Sequence, residues 1–343
     1  MNVRVIGIDL GKIVFHLVGM DDHGNVVVKK RFSRAQLMNF LVNVPPCLIG
    51  MEASCGCHHV GRRLAALGHD VRLIPAQFVK PYVKSQKNDY RDAEAIAEAV
   101  QRPTMRFVPI KTEDQLDLQA LHRVRERLQN QRTSLVNQLR AFLLERGLIV
   151  RRGRAYLWSQ LPTILADAED SLSPRLFRLM TSIAQQWREL ELRIQEADRE
   201  ISAIALADES CQRLQSVPGV GPLIATAMVA AIGNGSAFTK GRHFSAWLGL
   251  VPQQRSTGGQ TKLLGISKRG NEYLRRLFIH GARSVALHVN RDRHSFGEWI
   301  TALQNRVHSN IANVALANKL ARIAWSVLSR QETYRSTLAP AAT

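Results

Sequence analysis

The sequence has no apolar run long enough to cross a bilayer. Its longest nearly apolar stretch, Leu223 to Ile232, is broken by Thr226 and is about half the roughly 20 residues a membrane helix needs. The opening residues, Met-Asn-Val-Arg-Val-Ile-Gly-Ile-Asp-Leu-Gly-Lys, read as a strand where a signal peptide would carry a charged and then a long apolar region. A cytosolic protein with no membrane partner is expected. Cysteine is scarce, with four in 343 residues, which excludes a disulfide framework in a chain of this length. Cys55, Cys57, His58 and His59 crowd together, but a zinc site needs a second, separated pair of ligands, so they read as ordinary helix-start residues. Acids are also in short supply. Against 47 Lys and Arg stand 28 Asp and Glu, a formal charge of +19, and the isoelectric point lies near 10.6. That imbalance favours a polyanionic partner, because a basic surface gains free energy by releasing counterions from phosphates. Nucleic acid is preferred over a ribosomal or membrane-surface role, and charge does not separate DNA from RNA. A hydrophobic content of 45% excludes wholesale disorder.

Residues 3 to 9 read as a buried strand ending on an acid, and 13 to 20 and 26 to 32 as two further strands joined by the turn Asp21-Asp22-His23-Gly24-Asn25. A helix over 34 to 43 is followed by a strand from Cys47 to Met51 that runs into Glu52. A helix over 58 to 67, stopped by Gly68, leads to a strand at Val71 to Ile74. Three strands in a meander, then alternating helix and strand, is the order of the ribonuclease H-like α/β fold. From Glu113 to Glu145 there is neither proline nor glycine, and Leu121, Val124, Leu128, Leu135, Leu139 and Phe142 recur near helical spacing. After Pro174 the same spacing returns at Leu176, Leu179, Ile183, Trp187, Leu190, Ile194 and Ile201. Two long helices are expected, as an antiparallel hairpin or a dimerising coiled coil, with Gly147 to Ser173 as a connection with short helices. From Leu214 the opening Val217-Pro218-Gly219-Val220-Gly221-Pro222 resembles a helix-hairpin-helix, in which Gly219 and Gly221 would let backbone amides approach a phosphate; a tight turn between packed helices is the plainer reading. The small residues of 336 to 343 read as a disordered tail.

Four carboxylates stand out. Asp9 ends the first strand, Glu52 ends a later one, and Asp89 and Asp92 lie three apart where a helix begins, so both can share one face. At neighbouring strand ends these acids would repel one another unless divalent cations neutralised them. Hard oxygen ligands suit magnesium, with manganese as the alternative. Two such ions about 3.5–4 Å apart can hold the attacking and leaving oxygens of a phosphodiester exchange. Asp89 alone could cap a helix and Asp92 could favour its first turn, and Glu94 and Glu98 read as exposed neighbours. Asp9 and Glu52 have no such structural excuse, since a buried unpaired carboxylate is costly.

The pattern Gly-Ile-Asp, Met-Glu-Ala-Ser and Asn-Asp-Tyr-Arg-Asp-Ala-Glu-Ala resembles the DEDD domain of transposases of insertion-sequence family 110. Ser216-Val-Pro-Gly-Val-Gly, Phe244-Ser-Ala-Trp-Leu-Gly-Leu-Val-Pro, Ser256-Thr-Gly-Gly and Gly265-Ile-Ser-Lys-Arg-Gly-Asn extend the likeness over nearly the whole chain, with wording nearest the subgroup called 1111. The resemblance implies a RuvC-like DEDD domain, a coiled-coil arm and a mainly helical transposase domain with a nucleophilic serine. It also implies an element-derived non-coding RNA that guides recombination of donor and target DNA. The acids fall on Asp9, Glu52, Asp89 and Asp92, and the serine on Ser256. Spacing from Pro252 would equally admit Thr257; a primary hydroxyl, and the only serine of its loop, favours Ser256.

Read by itself, Arg255-Ser256-Thr257-Gly258-Gly259 is a flexible loop with two hydroxyls beside an arginine, either a nucleophile or a phosphate clamp. No His-Asp pair adjoins it, and metal ions brought by the DEDD domain could supply both the activation and the stabilisation of developing charge. From Gly241 to Arg283 there are eight Lys or Arg (Arg242, Arg255, Lys262, Lys268, Arg269, Arg275, Arg276, Arg283) and one acid, Glu272, the signature of a nucleic-acid surface. Lys80, Lys84 and Lys87, with Tyr82, form a second basic set before the paired aspartates, placed to hold a nucleic-acid strand near the metals. The expected architecture is α/β plus α: a ribonuclease H-like domain over 1–110, a helical arm over 111–205, a basic domain over 206–330 and a tail over 331–343. The expected function is DNA strand exchange by a dimer or tetramer in the bacterial cytoplasm, at the nucleoid. A junction nuclease or invertase without a covalent step, and an inactive nucleic-acid-binding regulator, are the rival readings.

Overall fold

A run of valines and isoleucines opens the chain because it forms the middle of a sheet. The computed structural model describes residues 3–335 apart from 85, 87, 168–171, 292, 293 and 295. Two compact units divide the chain at Gln115 and Leu116. The tail expected to be disordered, 336–343, lies outside the described residues. Among those described, no helix is long and apolar enough to cross a membrane.

The first unit is mixed α/β. It comprises β1 (Val5–Leu10), β2 (Val14–Met20), β3 (Val26–Ser33), α1 (Arg34–Val42), β4 (Leu48–Glu52), α2 (Cys57–Ala66), β5 (Asp70–Ile74), α3 (Ala76–Val79) and α4 (Asp89–Val100). The strands lie in the order β3-β2-β1-β4-β5, with β1, β2 and β3 antiparallel in sequence and β4 and β5 parallel to β1. The Asp21 carboxylate accepts from the amides of His23 and Asn25, which closes the expected turn. Ser33 and Gln36 cap α1 reciprocally. β1 is apolar without alternation because both its faces are covered. Ile6 and Ile8 pack with Phe15, Leu17 and Leu64 on one side, while Val5 packs with Val18, Ile96 and Val100 on the other.

α4 lies against two glycines. A Cβ on Gly7 would fall 2.0 Å from the Ala93 carbonyl oxygen, and one on Gly50 would fall 2.8 Å from Val100 Cβ. Each glycine precedes an acid by two residues, Gly7 before Asp9 and Gly50 before Glu52. The two-residue period of a strand puts each pair on one face. The bare backbone that admits α4 therefore also aims the acids at its first turn.

The second unit is mostly helical. It contains α5 (Glu113–Leu144, whose first turn reaches back into the first unit), α6 (Arg154–Asp167), α7 (Pro174–Ala207), α8 (Glu209–Gln215), α9 (Pro222–Ile232), α10 (Gly241–Trp247), β6 (Pro252–Thr257), β7 (Gln260–Ile266), α11 (Glu272–His288), α12 (Gly297–Gln304) and α13 (Ser309–Arg330). α5 and α7 run antiparallel, linked by Arg125 to Asp198 and by Arg132 to Glu191 at 3.1 Å. Val136, Leu139, Leu143, Met180 and Trp187 pack with Leu157 and Leu161 of α6. The helical spacing misassigned part of this seam: Val124 and Leu179 are exposed, and His122 and Arg125 take inward places.

His122 is buried in a polar chain joining three helices. Its Nε2 lies 3.0 Å from Thr226 Oγ1, its Nδ1 lies 3.0 Å from Tyr273 Oη, and Thr226 donates to the Pro222 carbonyl at 2.7 Å. Thr226 spends its only proton on Pro222, so His122 Nε2 donates to Thr226 and Nδ1 accepts from Tyr273. Burial, and secondarily Arg125, lower the His122 pKa to about 4. In the unfolded chain the ring would take a proton near pH 6.5. Between about pH 6.5 and 4 the unfolded state thus binds the extra proton, and stability falls as pH falls, by about 3 kcal/mol in all. Urea midpoints of wild type and His122→Asn at pH 7 and 4.5 check this: the wild type should lose more on acidification, and equal losses would contradict it.

Candidate active site and nucleic-acid interface

Ile8 pairs with Met51, so Asp9 and Glu52 follow as neighbours on adjacent parallel strands. The Asn88 side chain accepts from the Tyr90 amide at 3.0 Å and starts α4, which puts Asp89 and Asp92 in its first turn. Carboxylate oxygens of Asp9, Asp89 and Asp92 all lie within 4.8 Å of one another. Glu52 stands outside this triplet but within its field: burial, then Asp92, raise its pKa. The Asp9 pKa is raised by burial first and then by Asp92, Asp89 and Glu52, with His16 opposing. Carboxylates that repel one another, with Asp9, Glu52 and Asp92 half-buried and Asp89 exposed, are all hard oxygen donors and fit a divalent cation such as magnesium or manganese.

His16 was not singled out from the sequence. It pairs with Asp9 across β1 and β2, its Nδ1 is 3.6 Å from Asp89 Oδ2, and its ring meets Tyr90 edge-on at 4.7 Å. Lys29 Nζ lies 4.8 Å from the Tyr90 ring centroid on the same side of the site. The pairing follows from the three residues Gly11 to Ile13 between β1 and β2, and only the register reveals it. Glu94 and Glu98, expected to be exposed, are half-buried. Lys84, expected to hold a strand, is instead paired with Glu98 at 2.8 Å, which raises its pKa. Lys87 lies outside the described residues. Cys57 is buried at the start of α2, and His58 Nδ1 accepts from the Lys111 amide at 3.2 Å.

In the second unit the serine segment is not the flexible loop expected. Pro252–Thr257 and Gln260–Ile266 form a hairpin closed by Gly258 and Gly259, whose φ values of 54° and 80° suit a two-residue turn that glycine favours. Both strands are exposed over most of their length. Ser256 opposes Thr261, and Gln254 Nε2 donates to Ser256 Oγ at 2.6 Å. Arg255 opposes Lys262, so alternation puts Thr257 on the face of these cations and Ser256 on the other. Like charges directly opposite destabilise a hairpin, a cost that a phosphate between them would offset.

Of the eight cations from Gly241 to Arg283, seven are exposed. Arg275 is the correction: it is buried and donates to the carbonyls of Leu248 at 3.1 Å and Arg269 at 2.9 Å, so it braces the fold rather than meeting phosphate. Arg276 is exposed but paired with Glu126. Lys268 and Arg269 are exposed beside the tight Gly249 turn. Gly219 is also corrected. A Cβ there would lie 2.6 Å from the Gly281 carbonyl oxygen, so its bareness serves the close approach of α11. Gly221, the N-cap of α9, has open space before it.

A carboxylate cluster in an α/β unit, joined to a basic helical unit, describes an enzyme that works on nucleic-acid phosphodiesters. Comparison with known proteins makes this specific. The family model DEDD_Tnp_IS110, described as Transposase, matches residues 6–146, and that described as Transposase IS116/IS110/IS902 family matches residues 211–298. The "Probable family 20 transposase" of Pseudomonas aeruginosa is 47% identical over 98% of this chain and 99% of its own length. The "Transposase for insertion sequence element IS1328" of Yersinia enterocolitica is 46% identical over 96% and 98%. The "Transposase for insertion sequence element IS1111A" of Coxiella burnetii is 44% identical over 97% and 92%. The chain belongs to the IS116/IS110/IS902 family of transposases, enzymes that recombine the DNA of mobile elements.

Proposed function

We propose that this transposase exchanges DNA strands through a divalent-metal site held by Asp9, Glu52, Asp89 and Asp92, with Ser256 as nucleophile. The observation that carries the reading is the convergence of Asp9, Asp89 and Asp92. The strand order β3-β2-β1-β4-β5 supports a ribonuclease H-like, RuvC-like domain over 1–110. The antiparallel α5 and α7 support an arm over 111–205, and 206–330 would be the basic transposase domain, with 331–343 as a tail. Bound magnesium, or manganese, would supply charge neutralisation at the scissile phosphate. Ser256 Oγ gives up its proton and bonds to phosphorus as the bond to the leaving DNA oxygen breaks, and that oxygen is protonated. Attack by the hydroxyl of the receiving strand reverses the step and frees Ser256. Arg255, Thr257, Lys262, Lys268 and Arg269 would hold phosphates, which positions DNA without reading its sequence. A non-coding RNA from the element would then guide the choice of site, and paired exchange would need a dimer or tetramer, acting at the nucleoid.

The test is a cleavage reaction with donor and target DNA, flanking RNA and magnesium. Wild type should cut, and chelation or Glu52→Ala should abolish cutting while circular dichroism is unchanged. Retained cleavage by Glu52→Ala would defeat the metal-site assignment.

A further inference from the structure

Apart from the carboxylates and the hydroxyl hairpin, the second unit contains a large groove of 1360 Å³ between the base of the hairpin and α10, α12 and α13. That is larger than the roughly 300–1,000 Å³ of a typical small-molecule pocket. Its described lining includes four cations, Lys240, Arg242, Lys319 and Arg322, and no carboxylate. Two indoles, Trp299 and Trp325, line it as well. Lys319 Nζ lies 4.4 Å from the Trp299 ring centroid, and Trp325 Nε1 donates to the Gly235 carbonyl at 3.0 Å. Both indoles are thus anchored and need little ordering to serve as walls.

Cations around aromatic and aliphatic walls are what a strand of unpaired nucleotides needs: phosphates meet the charges and bases meet the rings. A duplex hides its base faces in its own stack and would leave the apolar walls against phosphates. Four cations with no carboxylate among the described lining favour a polyanion over the face of another protein chain. We propose that this groove binds single-stranded DNA, a strand freed from its partner beside the hairpin that carries Ser256. The choice of DNA rests on the strand-exchange reading above.

The experiment uses the full-length protein and fluorescence anisotropy of labelled oligothymidylate, oligouridylate and a DNA duplex of equal length. The oligothymidylate should bind most tightly. With four phosphate contacts its affinity should fall roughly fiftyfold between about 50 and 200 mM salt. Arg242→Glu with Arg322→Glu should weaken it at least about tenfold and flatten the salt dependence. Arg175→Glu with Arg178→Glu, the same change of charge at exposed sites on α7, should stay within about twofold. An oligomer carrying 5-iododeoxyuridine should photocrosslink to Trp299 or Trp325. Equal loss in both double variants, tighter binding of duplex or RNA, or crosslinks only elsewhere would overturn the proposal. Binding and cleavage separate the two readings: a wild type that cuts with magnesium but whose oligothymidylate binding ignores Arg242 and Arg322 sinks only the groove, and one that binds the strand there but does not cut sinks only the recombinase chemistry.

Discussion

Asp9→Asn is expected to lower magnesium-dependent DNA cleavage about a thousandfold while raising the thermal midpoint of the metal-free protein. The two effects have one cause. Burial and the neighbouring Asp92, Asp89 and Glu52 raise the Asp9 pKa, so its ionised form is disfavoured in the folded state. For a carboxyl whose folded pKa is raised, stability is fully present at low pH and is lost as pH rises through that pKa. At neutral pH the charged cluster therefore costs the fold, and asparagine removes both the charge and its repulsion of its neighbours. Divalent cations held by these acids would offset the same cost in the wild type. Magnesium should accordingly raise the wild-type midpoint and leave that of Asp9→Asn almost unchanged. The loss of rate follows because a few kcal/mol of transition-state stabilisation at the phosphate goes with the site, and each 1.36 kcal/mol is tenfold. Differential scanning fluorimetry with and without magnesium, beside the cleavage assay, reads both. A variant destabilised without metal, or still stabilised by magnesium, would show that Asp9 is a structural acid.

Gly7→Ala should be worse for the protein than its size suggests. One methyl there would sit 2.0 Å from the Ala93 carbonyl oxygen and 2.5 Å from the Ala97 amide nitrogen. Both are backbone atoms, so no side chain can turn aside and α4 itself must move. Overpacking of this kind costs about 3 kcal/mol. Because α4 carries Asp89 and Asp92, its displacement also spreads the carboxylates, and metal-dependent cleavage should be lost in whatever protein folds. Gly265→Ala, where a Cβ meets nothing within 4 Å, is the control and should cost under about 1 kcal/mol. Chemical denaturation of the two variants checks this; similar midpoints would mean that α4 has room the structure does not give it.

The first unit was legible because its signals are local. Unbroken apolar strands, Gly24 in a turn and the helix start at Asn88 each act over a few residues, and boundaries fell within two or three residues of those expected. The place of His16 was hidden because it depends on the register across a turn, and the meaning of Gly7 and Gly50 because it depends on a helix more than 40 residues away. In the second unit the basic count was visible but not its geometry. Arg275 looks like any other cation of its segment until Leu248 and Arg269 claim it. The paired glycines read as looseness where they are the turn that closes a hairpin. The seam of α5 and α7 failed at Val124 because a buried histidine and arginine, satisfied by partners distant in sequence, stood in for leucines.

The measurement that bears most directly on the strand-exchange mechanism is a denaturing gel of labelled DNA after reaction with wild type, Ser256→Ala and Thr257→Ala protein in magnesium and flanking RNA. A protein–DNA adduct is expected with wild type and Thr257→Ala, and none with Ser256→Ala. Cleavage without an adduct, unchanged in Ser256→Ala, would contradict it and leave a water-driven nuclease whose hairpin only clamps phosphate.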